Sequence, residues 1–256
     1  MSRMDKDLGR WFLTDRVRLE MDFDRTPQQL GLPSPPVEKA CPPELPRIAL
    51  PPREAWQGIG ATTVEEALAR RCSRREYTRD PLQLDELAFL LWSTQGVLSK
   101  LGTMAVLRTV PSAGARHAFE SYVLVQRVEG LEPGLYRYLS LSHELAFLGE
   151  LPNAAQAISD ATLGQDFLGE AAVVFVWTVR PARMEWRYGD AAYKVLALDA
   201  GHVGQNLYLA CECVGAGTCA IAAYNQAEVD AILGVDSEEE FTIYLAPVGK
   251  VDDSSS

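Results

Sequence analysis

The sequence predicts an α+β fold, and three observations predict it. Strand and helix signals arrive in mixed order instead of as a repeated strand–helix–strand unit. The strongest strand signal, "AAVVFVWTV" at 171–179, is a continuous apolar run bounded by helical patterns. Residues 191–214, "AAYKVLALDAGHVGQNLYLACECV", carry the longest apolar helix pattern in the chain. With 256 residues, 47% hydrophobic and 23% charged, the chain has the apolar surface for one substantial core.

Taken in order, residues 1–60 read as an extension and 61–256 as the compact domain. In the extension, Leu8, Trp11 and Phe12 fit one helical face, whereas Val17, Leu19, Met21 and Phe23 alternate like a strand; the conflict stays open. Eight of the fifteen prolines fall between Pro33 and Pro52, which predicts an extended connector wrapped on the domain surface. Thr63 and Glu66 form a capping box, with Val64, Ala67 and Leu68 as the apolar face of the helix that follows. That helix is expected to continue through Arg70, Arg71, Arg74 and Arg75. A second helix follows Pro81, with Leu84, Leu87, Leu90 and Leu91 as its buried stripe and Gly96 as its stop. Phe119–Val128, 134–138 and 143–149 read as strands of an antiparallel meander, and a short helix spans about 152–161. After the long helix come a short strand Thr218–Ala222, a helix Gln226–Leu233 and a last strand Phe241–Val248. The long helix is apolar nearly all round, so it belongs in a large core or between subunits.

A net charge of −11 and a pI near 4.8 argue against nucleic acid or an anionic membrane surface as partner. No export signal is visible, and the apolar runs are too short or too interrupted to span a bilayer. Five cysteines form no regular framework, and they read as buried small hydrophobes in a reducing, cytoplasmic compartment. No metal-ligand spacing, nucleophile elbow or phosphate loop is present. His117, His143 and His202 read as structural.

Three local features remain. "RRCSRRE" packs four arginines around Ser73, more positive charge than a helix C-terminus needs, and an anionic ligand would relieve the repulsion. The turn Pro111-Ser112-Ala113-Gly114 in "RTVPSAGARH" consists of small residues whose backbone N–H groups can approach a flat or anionic ligand. "GAGTCAIAA" at 215–223 breaks the long helix and runs on as a short apolar strand. From the residues alone, helix capping, an ordinary loop and a core strand explain these features about as well.

Together and in this order they resemble the nitroreductase superfamily of FMN-dependent oxidoreductases, and within it the SagB-type dehydrogenases that oxidise azoline rings in peptide products. The resemblance rests on "RCSRREY" at 71–77, "PLQLDELAFLLWSTQGV" at 81–97, "RTVPSAGARHAFESYVLV" at 108–125 and "VEGLEPGLYRY" at 128–138. It continues with "WRYGDAAYKVLALDAGHVGQNLYLACECVGAG" at 186–217 and "EEEFTIYLAPVG" at 238–249. It implies a nitroreductase-like fold with a central antiparallel-dominated sheet flanked by helices, in an intertwined homodimer with FMN at the interface. Arg71, Ser73 and Arg75 would then hold the FMN phosphate and ribityl chain. Pro111, Ser112, Ala113 and Gly114 would come from the partner subunit, and Cys219, Ala220, Ile221 and Ala222 would run by flavin N5. Lys250 would be the basic residue after the last strand. Tyr188 and Arg187 stand where azoline dehydrogenases carry a Lys-Tyr pair, and Ala222 stands at a usual glycine. NAD(P)H is a possible electron donor, and a peptide or small molecule the substrate. The alternatives are an NAD(P)H-dependent nitro or quinone reductase and a non-catalytic flavin-binding scaffold of a peptide-modification complex.

Overall fold

The computed structural model describes residues 6–56, 58–102 and 105–252. Two short helices, α1 (Lys6–Leu13) and α2 (Arg16–Glu20), precede the proline-rich stretch, which contains the short strand β1 (Arg47–Ala49). Helices α3 (Val64–Arg70) and α4 (Leu84–Gln95) lead to a hairpin of β2 (Val97–Leu101) and β3 (Ala105–Arg108). A meander of β4 (Phe119–Val125), β5 (Gly134–Leu139) and β6 (Glu144–Gly149) follows. Helices α5 (Ala154–Ala161) and α6 (Phe167–Glu170) then lead to β7 (Val173–Val179). The chain finishes with α7 (Ala182–Tyr188), α8 (Ala192–Glu212), β8 (Ala216–Thr218), α9 (Gln226–Leu233) and β9 (Phe241–Lys250).

Seven strands form one sheet in the order β1-β6-β5-β4-β7-β9-β8, with every neighbouring pair antiparallel. Strand β7 reads as a continuous apolar run because helices cover both its faces. Phe175, Trp177 and Val179 point into one core with Leu87, Leu90 and Leu91 of α4 and Val203 and Leu207 of α8. Val174 and Val176 point into a second core with Ile158 of α5, Leu168 of α6 and Val229 of α9. The expected α+β architecture, an antiparallel sheet flanked by helices, is the observed one.

Several elements differ from expectation. Residues 16–20 are helical, with Val17 buried and Leu19 exposed, so the alternation there was surface chance. The β2–β3 hairpin, α6, α7 and β1 carry no strong sequence period. Strand β4 stops at Val125 because the N–H groups of Gln126 and Arg127 both turn to the Ala172 carbonyl, at 3.0 and 2.9 Å. The cysteines are not uniformly buried: Cys211 and Cys219 are, Cys41 and Cys213 are half-buried, and Cys72 is exposed.

The connector lies on the sheet as expected, and its chemistry explains how. Proline removes N–H donors, so a proline-rich backbone presents mainly carbonyls. Arginine side chains supply the donors. Arg183 Nε donates to the Pro36 carbonyl (2.7 Å), Arg108 Nη2 to Val37 (3.2 Å) and Arg137 Nη2 to Lys39 and Ala40 (both 3.1 Å). Glu120, itself buried, accepts from the Lys39 N–H (2.6 Å) and pairs with Arg183. Glu240 accepts from Lys39 Nζ, Tyr122 and Thr178, which holds its carboxyl below the usual range despite burial. The connector then joins the sheet edge through β1, paired with β6.

His143 is structural: its ring meets the Tyr138 hydroxyl at 2.8 Å and the Pro51 carbonyl at 3.2 Å. His117 is buried, with its pKa pressed to about 3 by burial and then by Arg108 and Arg116. The unfolded chain binds this proton near pH 6.5 and the folded chain only near 3. Stability from the neutral ring is therefore complete above pH 6.5 and is lost as pH falls toward 3. Urea midpoints of wild type and His117→Asn between about pH 7 and pH 5 should show the steeper fall in wild type; parallel profiles would reject this assignment. Asparagine suits the positive φ of 44° at this position.

Candidate functional site

Helix α3 ends where its arginines begin. The Thr63–Glu66 capping box forms as expected, but Arg71 is already out of the helix at ψ 119°. The expected continuation of the helix through Arg75 does not occur, because the Arg74 N–H leaves it for the Thr218 carbonyl (3.0 Å) and Ser73 bridges Thr218 in parallel. The segment is extended, with a side-chain period of two in place of four. Arg71, Ser73 and Arg75 thereby alternate with Cys72 and Arg74. The Arg71 guanidinium lies over the Tyr208 ring (5.5 Å), the Ser73 hydroxyl is 2.9 Å from the Tyr208 hydroxyl, and Arg75 lies over Phe167 (5.9 Å). Arg74 instead packs on Gly217, where an added Cβ would meet its Cδ at 2.6 Å. Arg70 pairs with Glu212 at the end of α8 (3.7 Å).

Among the described residues, neither Arg71 nor Arg75 forms an ion pair with a carboxylate. Two guanidinium forks and a hydroxyl on an exposed segment form a donor set suited to an oxyanion such as a phosphomonoester. The residues present thus fit the phosphate of a flavin mononucleotide.

The strand after α8 is shorter and earlier than expected. β8 covers Ala216–Thr218, and beyond it only Ile221 rejoins the sheet, pairing with Leu245. The break has a cause: the Ala220 N–H is taken by the Tyr208 hydroxyl (2.9 Å) and not by a strand. Cys219 turns into the core, and Ala222 is exposed beside it. Tyr208 thus touches the arginine segment and this strand at once. Sequence reading missed it, because an aromatic residue within an apolar helix pattern looks like core. Lys250 ties the end of β9 to the α4 and α8 termini: its ammonium meets Glu86 and the Val214 carbonyl (2.7 Å).

The small-residue turn lies elsewhere. Asp199 of α8 is 4% exposed and lies beside Ser112 and Ala113; burial raises its pKa, and these two neighbours oppose the rise. Pro111 is exposed at the start of the turn. Gly114, at φ +57°, lies under Arg187 and Tyr188: a Cβ there would stand 2.7 Å from Arg187 Cδ and 2.9 Å from the Tyr188 hydroxyl. The Arg187 guanidinium covers the Tyr188 ring at 5.8 Å. The structure therefore brings Pro111–Gly114, Arg187 and Tyr188 together, and separately brings Arg71, Ser73, Arg75 and Cys219–Ala222 together. Asp199 and Tyr208 are nine residues apart, two and a half turns or roughly 13 Å of helix. The two groups accordingly flank opposite sides of α8.

The description of the nitroreductase family matches residues 67–250. The chain belongs to this family. A protein of Methanocaldococcus jannaschii named for the same family is 34% identical over 187 residues, 73% of this chain and 90% of that one. The trifolitoxin-processing protein TfxB of Rhizobium leguminosarum bv. trifolii is 29% identical over 133 residues, 50% of this chain and 36% of TfxB. Among solved structures, a nitroreductase-type protein of Anabaena variabilis superposes with a TM-score of 0.67 at 28% identity, covering 82% of this chain and 42% of that one. One of Ralstonia eutropha gives 0.65 at 27% identity, covering 87% of this chain and 100% of that one. The E. coli microcin synthetase McbBCD complex with truncated pro-MccB17 bound gives 0.59 at 19% identity, covering 98% and 95%; at that identity it shows the fold alone. The fold is thus nitroreductase-like.

Gly114→Ala should destabilise the protein by about 1–2 kcal/mol, since a left-handed non-glycine residue carries that cost before any clash with Arg187 and Tyr188. A thermal melt unchanged from wild type would show that the turn is not held as described.

Proposed function

We propose that this nitroreductase-family chain is an FMN-dependent oxidoreductase of the SagB-type dehydrogenase branch, with hydride passing through flavin N5 in a ping-pong cycle. The observation that carries the reading is the carboxylate-free donor set Arg71, Ser73 and Arg75, with Tyr208 joining Arg71 and Ser73 to the Cys219–Ala222 segment. In this reading Arg71 and Arg75 bind the phosphate and Ser73 donates to it, while Cys219, Ala220, Ile221 and Ala222 line the flavin edge. Lys250 holds the end of β9 in place behind them. Pro111, Ser112, Ala113 and Gly114 bring Tyr188 and Arg187 to the site, where Tyr188 orients the substrate or supplies a proton. Arg187 stays protonated and offers positive charge, not a base. The name of TfxB, a trifolitoxin-processing protein, favours a role in processing a natural product, as the SagB-type reading expects.

A homodimer is part of the proposal. The two residue groups on opposite sides of α8 cannot meet one ligand within one chain, but two copies can pair one group from each. An apolar groove of about 400 Å³ between α3, α4 and α8 has Leu209 and Ala210 in its wall and the exposed Val64 and Leu98 at its rim, as an interface requires. We place the boundary between extension and domain near residue 60. The five unpaired thiols suit a cytoplasmic setting. Among the described residues no helix is long and apolar enough to cross a membrane.

The always-charged Arg187 favours a second reading, an NAD(P)H-dependent reductase of nitro compounds or quinones. Reduction of the bound flavin by NAD(P)H would support that reading, and oxidation of an azoline peptide with oxygen as acceptor would support the first. Protein that stays colourless after incubation with FMN would sink both and leave a scaffold role. Arg71→Ala and Arg75→Ala should each weaken FMN binding at least about tenfold, since a charge-assisted bond contributes roughly 1.5–3 kcal/mol; unchanged affinity would reject the assignment. Light scattering should give twice the 28.2 kDa chain mass, and a monomer that binds FMN tightly would refute the shared site.

A further inference from the structure

The Tyr208 hydroxyl stands between the two walls of the proposed flavin site, and the direction of its hydrogen bonds follows from its neighbours. The Ala220 backbone N–H can only donate, so at 2.9 Å the phenol oxygen accepts there. The phenol has one proton, and the Ser73 Oγ lies 2.9 Å from its oxygen. A phenol is a better donor than an aliphatic alcohol. Its oxygen, conjugated with the ring and already accepting, is the poorer acceptor. The Arg71 guanidinium over the ring draws electron density from it and strengthens that preference. The bonds therefore run one way, from Ala220 N–H to Tyr208 to Ser73, and each polarises the next.

We propose that Tyr208 is a positioning residue: by donating to Ser73 Oγ it turns the serine's own proton outward, toward the oxyanion that Arg71 and Arg75 bind. Phosphate oxygens only accept, so the direction matters. A reversed chain would present serine lone pairs to the phosphate and repel it. Ser73 is exposed and its hydroxyl would otherwise rotate freely; Tyr208 removes that freedom before the ligand arrives. The inference rests on the FMN reading above and adds a residue that acts on the phosphate through another side chain.

The test compares FMN with riboflavin, which lacks the phosphate, as ligands of wild type, Tyr208→Phe, Ser73→Ala and the double variant. Phenylalanine keeps the ring beneath Arg71 and removes only the hydroxyl. FMN binding by Tyr208→Phe should fall about two- to tenfold, the range of one neutral hydrogen bond, with riboflavin binding unchanged. The double variant should bind FMN no more weakly than Ser73→Ala, because the phenol acts only through the serine. Equal losses for both flavins, or additive losses for FMN, would overturn the proposal and leave Tyr208 a packing residue. Should the phenylalanine variant misfold, Ser73→Ala against wild type carries the test: FMN binding should fall about two- to tenfold with riboflavin unchanged, and unchanged FMN affinity would overturn the proposal. A wild type that binds neither flavin would refute the cofactor reading itself, an outcome distinct from the loss of the Tyr208 coupling alone.

Discussion

A helix of 21 residues that is apolar on most sides must be covered on most sides, and the candidate site is arranged by how α8 meets that demand. One side packs on β9, where Gly204 admits the Tyr244 ring; an added Cβ would stand 2.7 Å from Tyr244 Cε1. Another side is tied to α4 through Asn206, whose amide donates to the Ser93 carbonyl (2.8 Å). Once those contacts fix the rotation of the helix about its axis, Asp199 and Tyr208 must face opposite ways. One then organises the small-residue turn, and the other organises the arginine segment and the broken strand. The division of the site into two halves is a consequence of helix geometry.

Charge follows a related logic. The chain is acidic, yet its buried positive charge is concentrated where the proline-rich connector crosses the sheet. Arg108, Arg137 and Arg183 are buried and donate to connector carbonyls. They replace the strand neighbours that a proline-rich segment cannot recruit. The extension also touches the helix bearing Arg187 and Tyr188. The Trp186 indole donates to the Leu32 carbonyl (2.9 Å), and Arg116 covers the indole ring (5.0 Å) while bonding to Ser34 (3.1 Å). Arg71 and Arg75 differ from Arg108, Arg137 and Arg183 in being exposed or half-exposed and in stacking on aromatic rings, which keeps their forks aimed but available.

The sequence alone determined the elements whose cause is local or strongly periodic. The Thr63–Glu66 box, the leucine stripe of α4, the apolar run of β7, the long helix and α9 were legible because capping and burial patterns act within a few residues. The motifs in register were enough to indicate the family, and the resemblance nominates Arg71, Ser73 and Arg75 for the proposed phosphate site. Tertiary structure alone decided where α3 stops, since Thr218, 144 positions away, draws off the Arg74 N–H. It decided that the strand after α8 breaks at Ala220, because a phenol from another element caps that amide. It decided that Tyr208 is a polar hub and that Asp199 is buried beside the small-residue turn, although their positions in an apolar pattern look like core. Such partners lie far away along the chain, and a backbone amide or hydroxyl bonds to whichever acceptor packing brings within about 3 Å. Sequence period carries no trace of that choice.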